Sequence, residues 1–135
     1  MPTPAAQAAP GSLHAAISRG DNAAALKLIE AGADLEAKDG PAGASVLHYA
    51  VMKGRMPMID LLISRGADVN SRTRNGTTPL HTAVAYARRE VAELLIENGA
   101  DVNARSTSGA TPLALAVAAK NVPLGDALKE KGARE

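Results

Sequence analysis

Apolar residues along this chain come in short bursts at helical spacing, and the bursts repeat. "LHAAISRG" begins at Leu13, "LHYAVMKG" at Leu47, "LHTAVAYA" at Leu80 and "LALAVAAK" at Leu113. A second burst follows each one. In "RREVAELLIENG", Val91, Leu94, Leu95 and Ile96 supply an apolar side, while Glu90, Glu93 and Glu97 supply a wet one. The pattern predicts paired short helices, in the third unit running from about Pro79 to Tyr86 and from about Arg89 to Asn98. Gly-Ala closes each pair, at Gly32, Gly66, Gly99 and Gly132. The unit recurs every 33 residues, except that Leu13 to Leu47 is 34, with the extra residue inside "KDGPAGAS". Self-similarity at this period marks a repeat architecture whose units bury their apolar faces against one another.

The punctuation between bursts is equally regular. Asn75-Gly76 is a tight-turn signal that places both central residues at positive φ. Thr78 suits an N-cap and Pro79 the first helical position, where a missing N–H costs nothing. Thr111-Pro112 repeats this, and Ser45-Val46 keeps the cap without the proline. Gly20 and Gly54 stop the first helices, and Ala87 and Lys120 take their place later. Local strain is expected there, or a stop displaced to Arg88 or Asn121. Pro57 and Pro123 fall in the first turn of second helices, where proline is tolerated.

Helix, turn, helix, "GADVNA", tight turn and "TPLH", in fixed order, resemble the ankyrin repeat family over four units from about Ser12 onward. The resemblance implies an all-α solenoid. Antiparallel helix pairs stack side by side, β-hairpin fingers join them, and the whole curves around a concave face. The units expected are residues 12–38, 39–72, 73–105 and 106–135, with residues 1–11 read as a flexible Pro/Ala-rich leader. The first and last units should act as caps with a polar outer face. Lys129 fits that role, because it stands where the middle units have Ile63 and Ile96.

Composition then narrows the chemistry. Apolar residues are 46% of the chain, yet Phe and Trp are absent and Tyr occurs twice, so Ala and short aliphatics must fill the interior. There is no cysteine, which excludes disulfides and thiolate metal sites. No apolar run reaches the ~18 residues of a membrane span. Nor does the N-terminus have the form of a signal peptide, so a cytoplasmic monomer is expected.

His14, His48 and His81 invite a metal or catalytic reading, but they share one register. Successive units would hold them ~10 Å apart, whereas metal ligands converge on bonds of about 2 Å. In the family this histidine bonds backbone between repeats, and the fourth unit has Ala114 instead. Asp68, Asn70, Asp101 and Asn103 lack calcium-loop spacing and read as turn-forming residues. The resemblance also implies Asn103, in its "DVNA" context, as a hydroxylation site in a eukaryotic host. No phosphate loop, placed nucleophile or zinc spacing appears. An enzyme is therefore not expected, and no cofactor or metal is implied.

In the family, function lies on the finger tips and on the open edge of the first helix. By register those positions are Arg19, Lys38, Met52, Lys53, Arg72, Arg74, Asn75, Tyr86 and Arg105, with Pro41, Ala42, Thr107 and Ser108 beside them. Six of the first nine are basic and none is acidic. The acids sit instead on the second helices, at Glu30, Asp60, Glu90, Glu93, Glu97, Asp126 and Glu130. A chain of net charge +1 is thus expected to be basic inside its curve and acidic behind it. The expected activity is binding of a protein with an acidic or mixed surface. Weak binding of nucleic acid or anionic lipid by the same stripe is the alternative, and the lack of Phe and Trp for base stacking argues against it. A scaffold with no dedicated partner is the third reading. Arg72 and Arg74 stand out as residues that the fold itself does not require.

Overall fold

A computed structural model describes residues 13–134; the proposed leader, residues 1–11, lies outside them. Eight helices are present among the described residues: α1 (Leu13–Arg19), α2 (Asn22–Glu30), α3 (Val46–Lys53), α4 (Met56–Ser64), α5 (Pro79–Ala85), α6 (Arg89–Glu97), α7 (Pro112–Ala118) and α8 (Val122–Glu130). Each odd-numbered helix packs on the even-numbered one that follows it. The odd-numbered helices also pack in sequence, α1 on α3, α3 on α5 and α5 on α7, as one inner row. The all-α solenoid expected from the sequence is therefore present, with one helix pair per repeat.

The helix starts follow the sequence. Thr78 Oγ1 accepts from the backbone N–H of His81 at 3.3 Å, and Thr111 Oγ1 from that of Ala114 at 3.1 Å. Ser45 caps α3 in the same way through His48 N–H, at 3.3 Å. Both capping histidines return the bond, because Nδ1 accepts the backbone N–H of Ser45 (3.2 Å) or Thr78 (3.1 Å). Histidine thus does what Glu or Gln does in a capping box.

The inner helices end alike whether or not glycine is present. Gly54 has φ 68° and donates to Val51 O, and Arg55 N–H reaches back to Ala50 O. Ala87 at φ 56° and Lys120 at φ 58° keep the same pair of bonds. Of the two outcomes expected there, local strain is the one observed: the stop is not displaced. Left-handed backbone costs a non-glycine residue about 1–2 kcal/mol.

The fingers depart from the hairpins expected. Among the described residues the one β-bridge is Asp39 with Ala44, in the finger that carries the inserted residue. In the next finger Thr73 N–H donates to Thr77 O, but Thr77 N–H turns to Thr73 Oγ1 at 3.2 Å, so the second rung is lost to a side chain. Ser106 does the same to Ala110 N–H in the third finger. Asn75 is also not at positive φ. Only Gly76 is, at 73°, and Gly76 N–H closes a turn onto Thr73 O. This is a turn followed by one left-handed residue rather than the mirror-image turn that Asn-Gly signals.

The core runs the length of the stack. Ile17, Leu47, Ile59, Leu62, Leu80, Leu95, Leu124 and Leu128 are fully buried, with alanines between them. At the far end Lys129 is exposed, as a cap requires, but so is Val117 at 50%, whose counterparts Ile17, Val51 and Val84 are buried. The outer face of the fourth unit is therefore only partly polar. No helix among the described residues is long and apolar enough to cross a membrane.

Two stability measurements check this account. Leu80→Ala, at a position with 0% exposure, should lower unfolding free energy in urea by about 2–5 kcal/mol through the cavity it leaves. Ala87→Gly should raise it by about 0.5–1 kcal/mol, because it relieves the left-handed strain while loosening the unfolded chain.

Candidate binding surface on the inner helices and fingers

Hydrogen bonds run from each repeat to the next in three parallel ladders, and these position the surface. In the first, His14 Nε2 donates to Ala44 O at 3.0 Å, His48 Nε2 to Thr77 O at 2.9 Å and His81 Nε2 to Ala110 O at 2.8 Å. A carbonyl only accepts, so Nε2 carries the proton. In His48 and His81, Nδ1 is then the acceptor that serves the helix cap. Both ring nitrogens of these two residues are committed, so neither residue has a nitrogen open to a metal or a substrate. The structural role that the resemblance implied for these histidines is the one observed.

The second ladder uses the "GADVN" stretch. Asp34, Asp68 and Asp101 each turn Oδ1 onto the backbone N–H two residues on, at 2.8–2.9 Å. Asn70 then donates to Gly99 O and accepts from Asp101 N–H, and Asn103 does the same to Gly132 O and Arg134 N–H. The reading of these residues as turn formers holds, and the asparagines also join repeat to repeat.

The third ladder changes the standing of two predicted binding residues. Lys38 Nζ donates to Ser71 Oγ at 2.8 Å and to Arg72 O at 2.7 Å. Arg72 in turn donates through Nη2 to Arg105 O. Arg105, with no further finger among the described residues to receive it, folds onto Gly109 O in its own finger, at 3.3 Å. Lys38 and Arg72 thus tie fingers together, although both remain exposed. Arg72 differs from the expectation that the fold makes no use of it, whereas Arg74 makes no side-chain hydrogen bond among the described residues. The backbone of Arg74 donates to Ala42 O, and that of Thr107 to Asn75 O, so the tips are joined as well.

The remaining predicted positions are spread over this frame. Arg19 is exposed beside Asp21 at 3.7 Å, Lys53 is exposed, and Met52 is half-buried. The charge pattern follows the helices: α1, α3, α5 and α7 contain no acidic residue. All seven acids named above lie on α2, α4, α6 and α8.

One depression stands out on the inner side. A groove of about 560 Å³ lies between the second and third fingers, floored by α5 and α7. Asn75, Tyr86, Thr107 and Ser108 line it, which brings together four of the positions picked from register. The structure adds Thr77, Thr82, Ala85 and Leu115, which the sequence reading passed over. The available signal was a size difference between repeats: Thr82 and Ala85 occupy the positions that Tyr49 and Met52 occupy one repeat earlier.

Comparison with known proteins agrees with the geometry. The family model described as "Ankyrin repeats (3 copies)" matches residues 13–106. Helix pairs, fingers and inter-repeat ladders, together with that match, define a repeat-built helical domain. The chain belongs to the ankyrin repeat family. It is 43% identical over 68 residues to the 2-5A-dependent ribonuclease of Mus musculus, covering 50% of this chain and 9% of that protein. It is 39% identical over 67 residues to the B-cell lymphoma 3 protein homolog of Mus musculus, covering 50% of this chain and 15% of that protein. Against the nuclear factor NF-kappa-B p105 subunit of Gallus gallus it is 35% identical over 69 residues, covering 50% and 7%. The chain therefore spans only a small part of each of these relatives. Ankyrin repeats generally mediate protein–protein interaction, and the likeness to the ribonuclease is confined to its ankyrin repeats.

Burial holds both His48 and His81 below the ordinary imidazole value of 6.5, against the pull of the carbonyls they bond. Lys38 and His81 push His48 the same way, and Arg72 pushes His81. The fold favours the neutral rings, so the unfolded chain takes up protons first as pH falls. Their contribution is complete above pH 6.5 and is lost as pH drops below it through the folded values. Urea midpoints should therefore fall between pH 7.5 and pH 5.5, and fall less in the His48→Gln, His81→Gln double variant.

Proposed function

We propose that the chain is a non-catalytic binding module whose concave face and finger tips engage another protein, with an acidic or mixed surface meeting the basic side chains. The observation that carries this reading is the distribution of charge. The inner helices hold no acid, and Arg74 and Arg105 are exposed on the fingers. Tyr86, 50% exposed on the inner side, adds the kind of aromatic anchor that interfaces favour. Arg74 is the strongest of the predicted basic positions, because the ladders do not use its side chain. Lys38 and Arg72 would serve a partner only while also holding the fingers. Binding of nucleic acid is disfavoured by the near-neutral charge and the lack of stacking residues other than Tyr49 and Tyr86. We read the module as a monomer acting in the cytoplasm.

Exposed charges at an interface act mainly on encounter. With a partner recovered by affinity capture from the source cell, association should slow as salt rises. Arg74→Glu with Arg105→Glu should slow it about tenfold at low salt, measured by surface plasmon resonance. An unchanged rate would remove the basic fingers from the interface.

A further inference from the structure

The groove between the second and third fingers has a cause that can be traced position by position. On α3 the positions equivalent to Thr82 and Ala85 carry Tyr49 and Met52. Tyr49 is a packed side chain, with Oη donating to Asp39 Oδ2 of the preceding finger at 2.9 Å and its ring edge-on to His14 of the preceding repeat. On α5 the same positions are Thr82 and Ala85, and there the space opens to about 560 Å³. At the rim, Tyr86 stands where the preceding repeat has Lys53. One repeat has thus exchanged two large side chains and a cation for two small side chains and an aromatic ring.

The chemistry of the lining is as specific as its shape. No Asp, Glu, Lys or Arg lines the groove. Burial pushes the His81 imidazole below its ordinary value, and its Nε2 already donates to Ala110 O. A charged group placed there would lose water and meet no counter-charge. The hydrogen bonds that Asn75 and Thr77 make use only their backbones, so an amide and a hydroxyl are left without a partner among the described residues on two residues that line the groove, as Tyr86 does. Inner helices of adjacent repeats lie ~10 Å apart, a distance that an extended chain crosses in about three residues.

We propose that this groove binds an uncharged, extended stretch of the partner polypeptide, about three residues long. An aliphatic side chain seats between Tyr86 and Leu115, and the stretch's backbone pairs with the Asn75 amide and the Thr77 hydroxyl. The proposal rests on the protein-binding reading above and sharpens it. The acidic residues of the partner belong at the flanks, opposite Arg74 and Arg105, and the centre of its segment carries no charge.

The test uses random linear peptides displayed on phage and selected on the full chain. Enriched sequences should share an uncharged, aliphatic-containing centre. Their synthetic peptides should bind Ala85→Met and Thr82→Tyr about tenfold or more weakly, as loss of a central anchor does. Both variants install residues that the preceding repeat already carries at these positions, so urea midpoints should stay near wild type and confirm folding. Equal affinity for wild type and both variants, centres rich in Asp or Glu, or no enrichment at all would each overturn the proposal. Failure of the basic-finger reading looks different: the uncharged centre persists, its binding stays sensitive to Ala85→Met, and Arg74→Glu with Arg105→Glu changes nothing.

Discussion

The bond from each histidine Nε2 to the carbonyl ahead of the next helix cap is the contact on which the stack depends. In His48 and His81 it ties three things together at once. The ring caps its own helix through Nδ1, fixes its own tautomer, and holds the following finger by its last residue. A helix of seven or eight residues is marginal alone in water. Here α3 and α5 each gain an inner-row neighbour on both sides, and α1, α3 and α5 each hold a finger at their first turn. The asparagine and Lys/Arg ladders run in the same direction, so the repeats are coupled along one axis at three depths. Every ladder passes from one repeat to the next.

A second coupling explains why the glycines are lost where they are. A Cβ at Gly20 would lie 2.6 Å from Arg55 Nη2, and one at Gly54 would lie 2.8 Å from Arg88 Cζ. In each case the arginine of one repeat lies across the glycine of the repeat before, and Arg88 Nη2 reaches Met52 O at 2.8 Å. The arginine stands at the N-cap of its second helix and makes no side-chain cap bond there. One repeat later Asn121 takes that position and caps α8 through Leu124 N–H. With the long side chain gone, the space above the preceding position opens, and Ala87 is tolerated at the cost of strain alone. At Gly20 and Gly54 the left-handed φ is what favours glycine, and the flexible arginine above adds a contact that its own movement can relieve.

Much of this frame was legible in the sequence, because it depends on residue types that recur at fixed spacing. Thr78-Pro79, His81, Gly66 and Asn70 each appear again one repeat away, and repetition separates signal from accident. What was not legible depended on competition between neighbours. Thr73 Oγ1 takes an N–H that a hairpin rung would use, so Asn75-Gly76 closes a different turn. Arg72 was read as a replaceable surface charge because a carbonyl acceptor one repeat on leaves no trace in local sequence. The tips and inner edge were identified as the surface, but the groove within it was not. It is defined by what Thr82 and Ala85 lack, and an absence shows only against the neighbouring repeat.

That distinction bears on how such a surface acquires specificity. The ladders fix the backbone through other residues, so side chains at positions 52 and 53 and at 82, 85 and 86 lie outside the bonds that join the repeats. Size at positions 82 and 85 sets whether a depression exists, and polarity at position 86 sets what its rim prefers. Charge enters separately, from the fingers, where Arg74 is exposed and Arg105 bends toward its own turn. Exposed charge governs encounter and salt response, while a shaped depression governs how long a partner stays. Because these determinants sit on different elements, either one can be altered in this fold while the other stays in place.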